Sequence, residues 1–174
     1  PGNYEEYKYD DGSAEELIVW ANAGNENAVK FNTGGFPTLV SGGKIYVGDG
    51  SFPAGNWFGA VFRMIVYDDD GPGEMPGTAL DSVTVTVNNY GWVEFWGINA
   101  LISAGNYYLS MRQLSNFPNS PPLGVDYTSP TYNYGYCRLQ GNDWQLNVYQ
   151  DLMIRACVSE DPGISYYSVA CIED

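Results

Sequence analysis

The chain has 174 residues, enough for one domain with a sizeable hydrophobic core. Its 21 acidic residues against 7 basic ones give a formal net charge of −14, and 44% of its residues are hydrophobic. The acidity argues against binding to nucleic acid phosphates or to an anionic membrane, and the hydrophobic content argues against disorder. No stretch approaches the ~20 apolar residues of a membrane span.

The composition favours an all-β fold. The 15 Tyr and 5 Trp suit pleated surfaces, and the 21 Gly and 10 Pro suit turns. The chain has no histidine, which excludes Ser/His/Asp and Cys/His catalytic systems in their usual form and argues against a zinc site. Because the chain begins at Pro1, we expect a processed chain or a segment of a longer one.

The first half of the chain opens with a polar, acidic segment and then alternates between strands and turns. Predicted strands lie at residues 15–20, 26–33, 38–41, 44–48 and 58–67. Within 26–33, Ala28 and Lys30 alternate with Val29 and Phe31, which predicts one wet face. The segment 58–67 is apolar on both faces, so we expect a central strand that is buried on both sides for most of its length.

The break between the third and fourth of these strands is assigned to Gly42-Gly43, which we interpret as a turn.

The second half continues in the same manner. Predicted strands lie at residues 82–87, 92–98, 106–112, 132–139, 151–158 and 164–172, with a short one at 124–128. Clean alternation places Val83, Val85 and Val87 inward. About nine or ten strands with frequent turns indicate an antiparallel β-sandwich of jelly-roll type, a single domain over residues 1–174. Residues 1–12 and 159–174 are candidates for linkers or inter-subunit segments.

An acidic loop follows the strongest strand. It places Asp68, Asp69, Asp70 and Glu74 within seven residues, interrupted by glycine. Calcium takes 6–8 oxygen ligands, which such a loop can contribute to, so calcium is one interpretation. The other is a solvated turn in which aspartates cap backbone amides. Calcium would be an optional ligand of this loop, and the sequence indicates no required cofactor.

A second candidate site is the strand that contains Trp92, Glu94 and Trp96. Period two puts these three on one face and Val93 and Phe95 on the other. If the latter point inward, two tryptophans and a carboxylate face outward, as in a surface that stacks on sugars or contacts another protein. The alternative is burial beneath a loop or a second sheet. A glycosidase needs two catalytic carboxylates. Glu94 is a candidate for one of them, but no second carboxylate is apparent in the sequence.

Nine tyrosines of the second half could add to a contact surface, although some must be core. They are tyrosines 107, 108, 127, 132, 134, 136, 149, 166 and 167.

The three cysteines cannot all pair within one chain. Cys157 and Cys171 flank the turn Asp161-Pro162-Gly163, and a tight hairpin there would hold them too far apart for a disulfide. The alternatives are a bond between Cys137 and one of them, or small buried thiols.

Several motifs together resemble one family. They are YDDG at 9–12, Trp20, AVKF at 28–31, IVYDDDGPGEMPG at 65–77, GWVEF at 91–95, GNYYLSM at 105–111 and LMIRA at 152–156. The pattern resembles accessory jelly-roll β-sandwich domains of large secreted or surface-attached bacterial proteins. The resemblance implies an extracellular or cell-surface location and a non-catalytic role beside proteases, glycosidases or adhesive segments. Such domains usually end near the MIRA strand, whereas here residues 159–174 continue.

The sequence therefore predicts a non-catalytic, structural or adhesive module of an extracellular assembly. Its expected partners are other copies of itself or neighbouring domains. The alternatives are a carbohydrate-binding module that uses Trp92 and Trp96 on glycans and, less favoured, a glycoside hydrolase with Glu94.

Overall fold

The computed structural model describes residues 4–51, 57–128, 130–147 and 151–160. Within these ranges the chain folds as β-strands joined by turns, and none of it forms a helix that could cross a membrane. The strands are β1 (Glu5–Tyr7), β2 (Glu16–Ile18), β3 (Glu26–Asn32), β4 (Thr38–Tyr46), β5 (Val61–Asp68), β6 (Ala79–Thr86), β7 (Trp92–Ile102), β8 (Asn106–Gln113), β9 (Leu123–Asp126), β10 (Gly135–Arg138), β11 (Gln145–Asn147), β12 (Asp151–Leu152) and β13 (Ile154–Glu160).

The described strands form three antiparallel sheets. A six-stranded sheet has the order β11-β10-β3-β8-β5-β6, a four-stranded sheet has the order β1-β13-β4-β7, and β12-β9-β2 form a small third sheet. The predicted all-β, antiparallel class is confirmed, and the architecture is consistent with a β-sandwich. The described ranges hold thirteen strands, whereas the sequence predicts about nine or ten. Several of the thirteen are only two to four residues long, and such short strands are hard to recognise from a sequence. The jelly-roll type stays a prediction.

The main hydrophobic core draws on the two larger sheets. Phe31, Phe62 and Tyr107 come from the six-stranded sheet, and Ile45 and Phe95 from the four-stranded one; each is at most 3% exposed. Burial of one such side chain contributes about 1.5–3 kcal/mol. The expected inward row of residues 82–87 is confirmed, because Val85 and Val87 are core residues and Val83 packs against the core. The two larger sheets therefore share one apolar interior.

The predicted central strand is β5, which lies between β8 and β6. Residues 64–67 are buried on both faces, as the sequence indicates, with Met64 in the main core and Ile65 on the outer side. The strand begins later than predicted, at Val61, and Phe58 before it is 57% exposed.

A second hydrophobic cluster covers the outer face of the six-stranded sheet. It consists of Ala28, Ile65, Tyr67, Tyr108, Tyr136 and Trp144, with Met75 packed against it. The predicted wet face of residues 26–33 is therefore wrong at Ala28, which is 0% exposed. The reason is tertiary: side chains from β8, β10 and two loops fold over this face.

The predicted turn at Gly42-Gly43 is also wrong, since β4 runs unbroken from Thr38 to Tyr46. A Cβ atom at Gly42 would overlap the carbonyl oxygen of Phe95, and one at Gly43 would overlap that of Arg155. The glycines thus permit close approach of β7 and β13 on either side of β4.

The last described strand, β13, lies inside the four-stranded sheet, between β1 and β4 of the same chain. Ser159 and Glu160, the first residues of the predicted extension, pair with Leu39 and Thr38 of β4. The rest of the extension, including the predicted strand at 164–172 and Cys171, lies outside the described residues.

The cysteines differ from both predicted alternatives. Cys137 is a free, half-buried thiol, whereas Cys157 is disulfide-bonded. A bond between Cys137 and another cysteine is therefore wrong, and the buried-thiol alternative is wrong for Cys157. Burial raises the pKa of the Cys137 thiol, as expected for an inert structural residue.

Candidate functional site

The outer face of the six-stranded sheet collects positive charge. Strand register brings Arg138 opposite Glu26, Glu26 opposite Arg112, and Arg112 opposite Arg63, so four charged residues form one row across β10, β3, β8 and β5. Lys30 lies on the same face, with Nζ 5.7 Å from the Tyr108 ring centroid. Four of the chain's seven basic residues thus lie on this face of an otherwise acidic protein.

Glu26 holds the row together. Its side chain is 1% exposed, and its carboxylate accepts hydrogen bonds from Tyr67 Oη at 3.0 Å, Ser110 Oγ at 2.9 Å and Arg112 Nε at 2.9 Å. Arg138 Nη2 also donates to it. A buried charge is tolerated only when it is paired and hydrogen-bonded, and these four donors meet that requirement for Glu26. The same bonds hold the guanidinium groups of Arg112 and Arg138 in place.

The electrostatics of the row favour the charged arginine. Burial alone would lower the pKa of Arg112, but the hydrogen bond and charge of Glu26 outweigh it, so the pKa lies above its ordinary value. Burial and the Glu26 charge raise the pKa of Tyr67, which keeps this phenol protonated as a donor. Arg138 is further positioned by Trp144, whose ring centroid lies 4.7 Å from Cζ.

Two surface cavities open beside this network. The first, of about 330 Å³, is lined by Gly24, Glu26, Arg112, Arg138, Gln140, Gly141 and Asn142. The second, of about 420 Å³, is lined by Pro72, Met75, Pro76, Arg138, Asn142, Asp143 and Trp144. They share Arg138 and Asn142 and are therefore adjacent, and the second is the more apolar because it adds Pro72, Met75, Pro76 and Trp144. We call the two adjacent cavities together the arginine groove.

The predicted tryptophan face has the orientation that period two indicates. Val93 and Phe95 are buried, while Glu94 is exposed and Trp96 is 38% exposed. Trp92 is half-buried, however, because the Arg155 guanidinium lies 4.2 Å from its ring centroid.

Other groups cover the remaining sides of this face. Lys44 Nζ lies 5.3 Å from the Trp92 ring centroid, and Tyr46 packs edge-on against the same ring at 5.6 Å. The structure therefore leaves Trp96, with Tyr4 edge-on at 5.8 Å, as the more accessible ring.

The acidic loop caps its own backbone. Asp70 accepts hydrogen bonds from Thr78 N and Thr78 Oγ1, both at 2.6 Å, and these bonds lower the pKa of Asp70. Asp69 accepts from Asn106 Nδ2 at 3.1 Å, and Asp68 accepts from the Asp69 amide. These contacts match the turn-capping interpretation.

Metal binding at this loop receives no support from its geometry. Across the described ranges, no group of three or more His, Cys, Asp or Glu side chains is arranged to hold a metal ion. Glu74 is exposed and makes its hydrogen bonds through its backbone: its carbonyl accepts from Tyr108 Oη at 2.6 Å, and its amide donates to the Gly71 carbonyl at 3.1 Å. Calcium at Asp68, Asp69, Asp70 and Glu74 stays a prediction.

The predicted tyrosine surface divides into core and exterior. Tyr107, Tyr108 and Tyr136 are buried, whereas Tyr132 and Tyr134 are 47% and 41% exposed. Tyr9 packs against both exposed rings, with centroids 5.4 and 4.6 Å away. Burial and nearby ionisable groups raise the pKa of Tyr9 to about 12. Tyrosines 149, 166 and 167 lie outside the described residues.

Comparisons with known proteins bear on the fold. No protein-family model matches the chain. Bacillopeptidase F of Bacillus subtilis (strain 168) is 28% identical over 166 residues, which cover 91% of this chain and 11% of that protein. The fold is similar to that of the Clostridial cysteine protease Cwp84 after propeptide cleavage, with a TM-score of 0.65 and 14% identity over 91% of this chain and 40% of the other.

A second solved structure contains the cysteine protease and lectin-like domains of Cwp84, a surface layer associated protein of Clostridium difficile. It matches with a TM-score of 0.56 and 14% identity over 79% of this chain and 32% of the other. At this identity the likeness shows a shared fold. The chain spans about a tenth of the length of Bacillopeptidase F and less than half of each solved structure.

Sequence reasoning missed the arginine groove. Its charged residues come from positions 26, 112 and 138, and only the order β10-β3-β8 makes them neighbours. The one available signal was that scarce basic residues recur at outward positions of predicted strands. Glu26 gave no warning, because an acidic residue at a strand start usually faces water.

Proposed function

We propose that the chain is a non-catalytic β-sandwich module of a larger secreted or surface-attached protein, with a structural or adhesive role. The observation that carries the proposal is the uneven coverage of the matches. Bacillopeptidase F and Cwp84 each resemble 91% of this chain while the match occupies a minor part of the other protein. This is the relation expected between an appended module and larger proteins.

Three further observations support the proposal. Cys157 is disulfide-bonded, which is typical of oxidising, extracellular compartments. Exposed aromatic side chains, including Phe36 at 64% and Tyr132 at 47%, provide contact area for adhesion. The sequence has no histidine for nucleophilic catalysis.

The test is binding to cell-envelope material without turnover. The chain, incubated with isolated Bacillus subtilis cell walls, should sediment with them in a saturable manner and should release neither peptide nor reducing sugar. Absence of sedimentation at saturating cell-wall mass would overturn the adhesive role. Product release that disappears in Glu94→Gln would overturn the non-catalytic role and favour a glycosidase.

A carbohydrate-binding module is the second candidate, and the exposure of Trp96 beside Glu94 favours it. The test variant is Trp96→Ala, because Trp92 also packs under Arg155 and its loss would disturb that contact. Saturable binding on a glycan array should be lost in Trp96→Ala and kept in the control Phe117→Ala, which removes a ring of similar exposure. Equal binding by both variants would exclude the tryptophan face.

Assembly with other copies is the partner that we propose for the structural role. Removal of residues 161–174 should reduce the particle mass measured by light scattering at high protein concentration. A monomeric mass for both lengths would contradict assembly through this segment.

A further inference from the structure

The row of charged residues beside the arginine groove holds three guanidinium groups, those of Arg138, Arg112 and Arg63, and the single carboxylate of Glu26. Two guanidinium groups share the single carboxylate of Glu26, and Arg63 stands beside Arg112 on the neighbouring strand. Among the described residues, no carboxylate lies within ion-pair distance of Arg63, whose Nη2 atom reaches only Thr84 Oγ1 at 3.4 Å. Like charges placed opposite each other across strands destabilise a sheet, so a bound anion would relieve this cost.

The guanidinium groups also keep unused donors. Arg112 binds its protein partners through Nε and Nη2, and Arg138 does so through Nη2 alone. In the described part of the chain, Nη1 of Arg112 and both Nε and Nη1 of Arg138 have no hydrogen-bond partner. Arginine presents its donors in a planar fork that matches a carboxylate, so these groups suit a planar anion.

The lining of the groove is suited to hydroxyl groups. Gln140 and Asn142 carry amide side chains, and Asp143 carries a carboxylate, all of them at the surface. The first cavity alone, at about 330 Å³, is at the small end of ligand sites. The groove lies over β10, β3 and β8, each of which is already paired on both sides, so no strand edge is open for an extended peptide.

We propose that the arginine groove binds acidic saccharides, that is, sugars that carry a carboxylate. Arg112 and Arg138 bind the carboxylate, Gln140 and Asn142 bind hydroxyl groups, and Met75 contacts the apolar side of the ring. This inference rests on the adhesive function proposed above and gives it a ligand class.

The experiment is calorimetric titration of the whole chain with trigalacturonic acid and, separately, with galactotriose. We expect saturable binding of the acidic trisaccharide at least tenfold tighter than that of the neutral one. Arg112→Lys keeps the charge and loses the planar fork, and Asn142→Ala removes an exposed amide side chain. Each should weaken binding of the acidic trisaccharide at least fivefold, and Asn142→Ala, which lies outside the Glu26 network, should do so with an unchanged melting temperature.

Lys8→Gln is the control variant, because Lys8 is exposed and follows β1, away from the groove. It changes the net charge by one and should bind like the wild type. Equal weakening in Lys8→Gln and Arg112→Lys would overturn the proposal, since only overall charge would then matter. Weakening confined to Trp96→Ala would move the site to the tryptophan face and overturn it as well.

A tetra-glutamate peptide is the competing ligand. Binding of the peptide without binding of trigalacturonic acid would overturn the saccharide class. If the wild type sediments with cell walls yet binds no acidic sugar, this inference fails and the proposed adhesive function stands. If it does neither, the proposed function itself fails.

Discussion

At the residue scale, Glu26 is the most consequential polar side chain of the fold. It is buried and serves two arginines, a tyrosine and a serine at once. Removal of one partner of a buried ion pair leaves an uncompensated charge, which costs about 3–5 kcal/mol. Arg112 and Arg138 are therefore held rigidly by Glu26 and also present hydrogen-bond donors at the surface.

Replacement of Glu26 measures its contribution to the stability of the fold. We expect Glu26→Ala to lower the free energy of unfolding by about 3–5 kcal/mol in urea denaturation, because Arg112 and Arg138 lose their counter-charge. Glu94→Ala, an exposed residue of the other sheet, should stay within about 0.5 kcal/mol of the wild type. Similar values for both variants would contradict the structural role of Glu26.

A second residue-scale prediction concerns acid. Asp11 accepts hydrogen bonds from Ser13 Oγ at 2.7 Å, Ser13 N at 2.9 Å and Thr128 Oγ1 at 2.9 Å, and these bonds lower its pKa from 3.8 to about 2. A carboxylate whose folded-state pKa is lowered stabilises the fold above its ordinary pKa, and this stability is lost as pH falls through the folded value.

The melting temperature of Asp11→Asn should therefore lie below that of the wild type at pH 6, and the two should converge near pH 2. A difference that persists unchanged at pH 2 would show that Asp11 acts through something other than its charge.

Residue-level prediction from sequence succeeded where one strand decides the outcome. The outward orientation of Trp92, Glu94 and Trp96 follows from period two within β7 alone. The half-burial of Trp92 depends on Arg155, which lies more than sixty positions away on another strand. No local pattern contains that contact.

At the scale of elements, the two glycines of β4 show how packing can override a turn signal. Gly43 lies between β13 and β7 at a point where any side chain would meet the Arg155 carbonyl. Adjacent glycines usually indicate a turn, so the sequence predicted two strands where there is one. The deciding information, the closeness of two neighbouring strands, is absent from the local sequence.

We expect Gly43→Ala to destabilise the chain by about 1–3 kcal/mol or more, because a methyl group must displace the backbone of β13. Ser41→Ala, in the same strand, keeps the existing Cβ and should have a smaller effect. Urea denaturation of both variants measures the difference, and equal stability would contradict the close approach described above.

The elements that the sequence predicted well are long and strongly patterned. β5, β6, β7 and β8 all lie where apolar runs or alternation indicate strands. β1 and β11 were missed because three residues cannot show a period. The cover over Ala28 was missed because it comes from other strands and from the loops that carry Met75 and Trp144.

At the scale of the whole molecule, the last described strand, β13, carries the disulfide-bonded Cys157. Disulfides typically stabilise a fold by about 2–4 kcal/mol, largely through the unfolded state. A reductant should therefore lower the melting temperature of the wild type. It should leave that of Cys157→Ser unchanged, while Cys137→Ser should respond like the wild type because Cys137 is a free thiol. A loss of response in Cys137→Ser would contradict this assignment.

The overall class was predictable because composition and turn spacing reflect many residues at once. The order of strands within each sheet was not, since β13 lies between β1 and β4 and no local signal states that pairing. The candidate groove depends on the same kind of information, so it became visible only with the sheet.

The pairing of β1 with β13 has a mechanical consequence. Glu5 lies opposite Val158, and Tyr7 opposite Ala156, so the chain enters β1 and leaves β13 at the same end of an antiparallel pair. Tension applied to the polypeptide on the two sides of this pair opens its hydrogen bonds one after another, as a zipper opens, rather than shearing them together. Under load, β1 would peel away first and take Glu6 from Lys44 and Arg155. The sandwich behind it would thus be protected by a short length of chain that yields at low force.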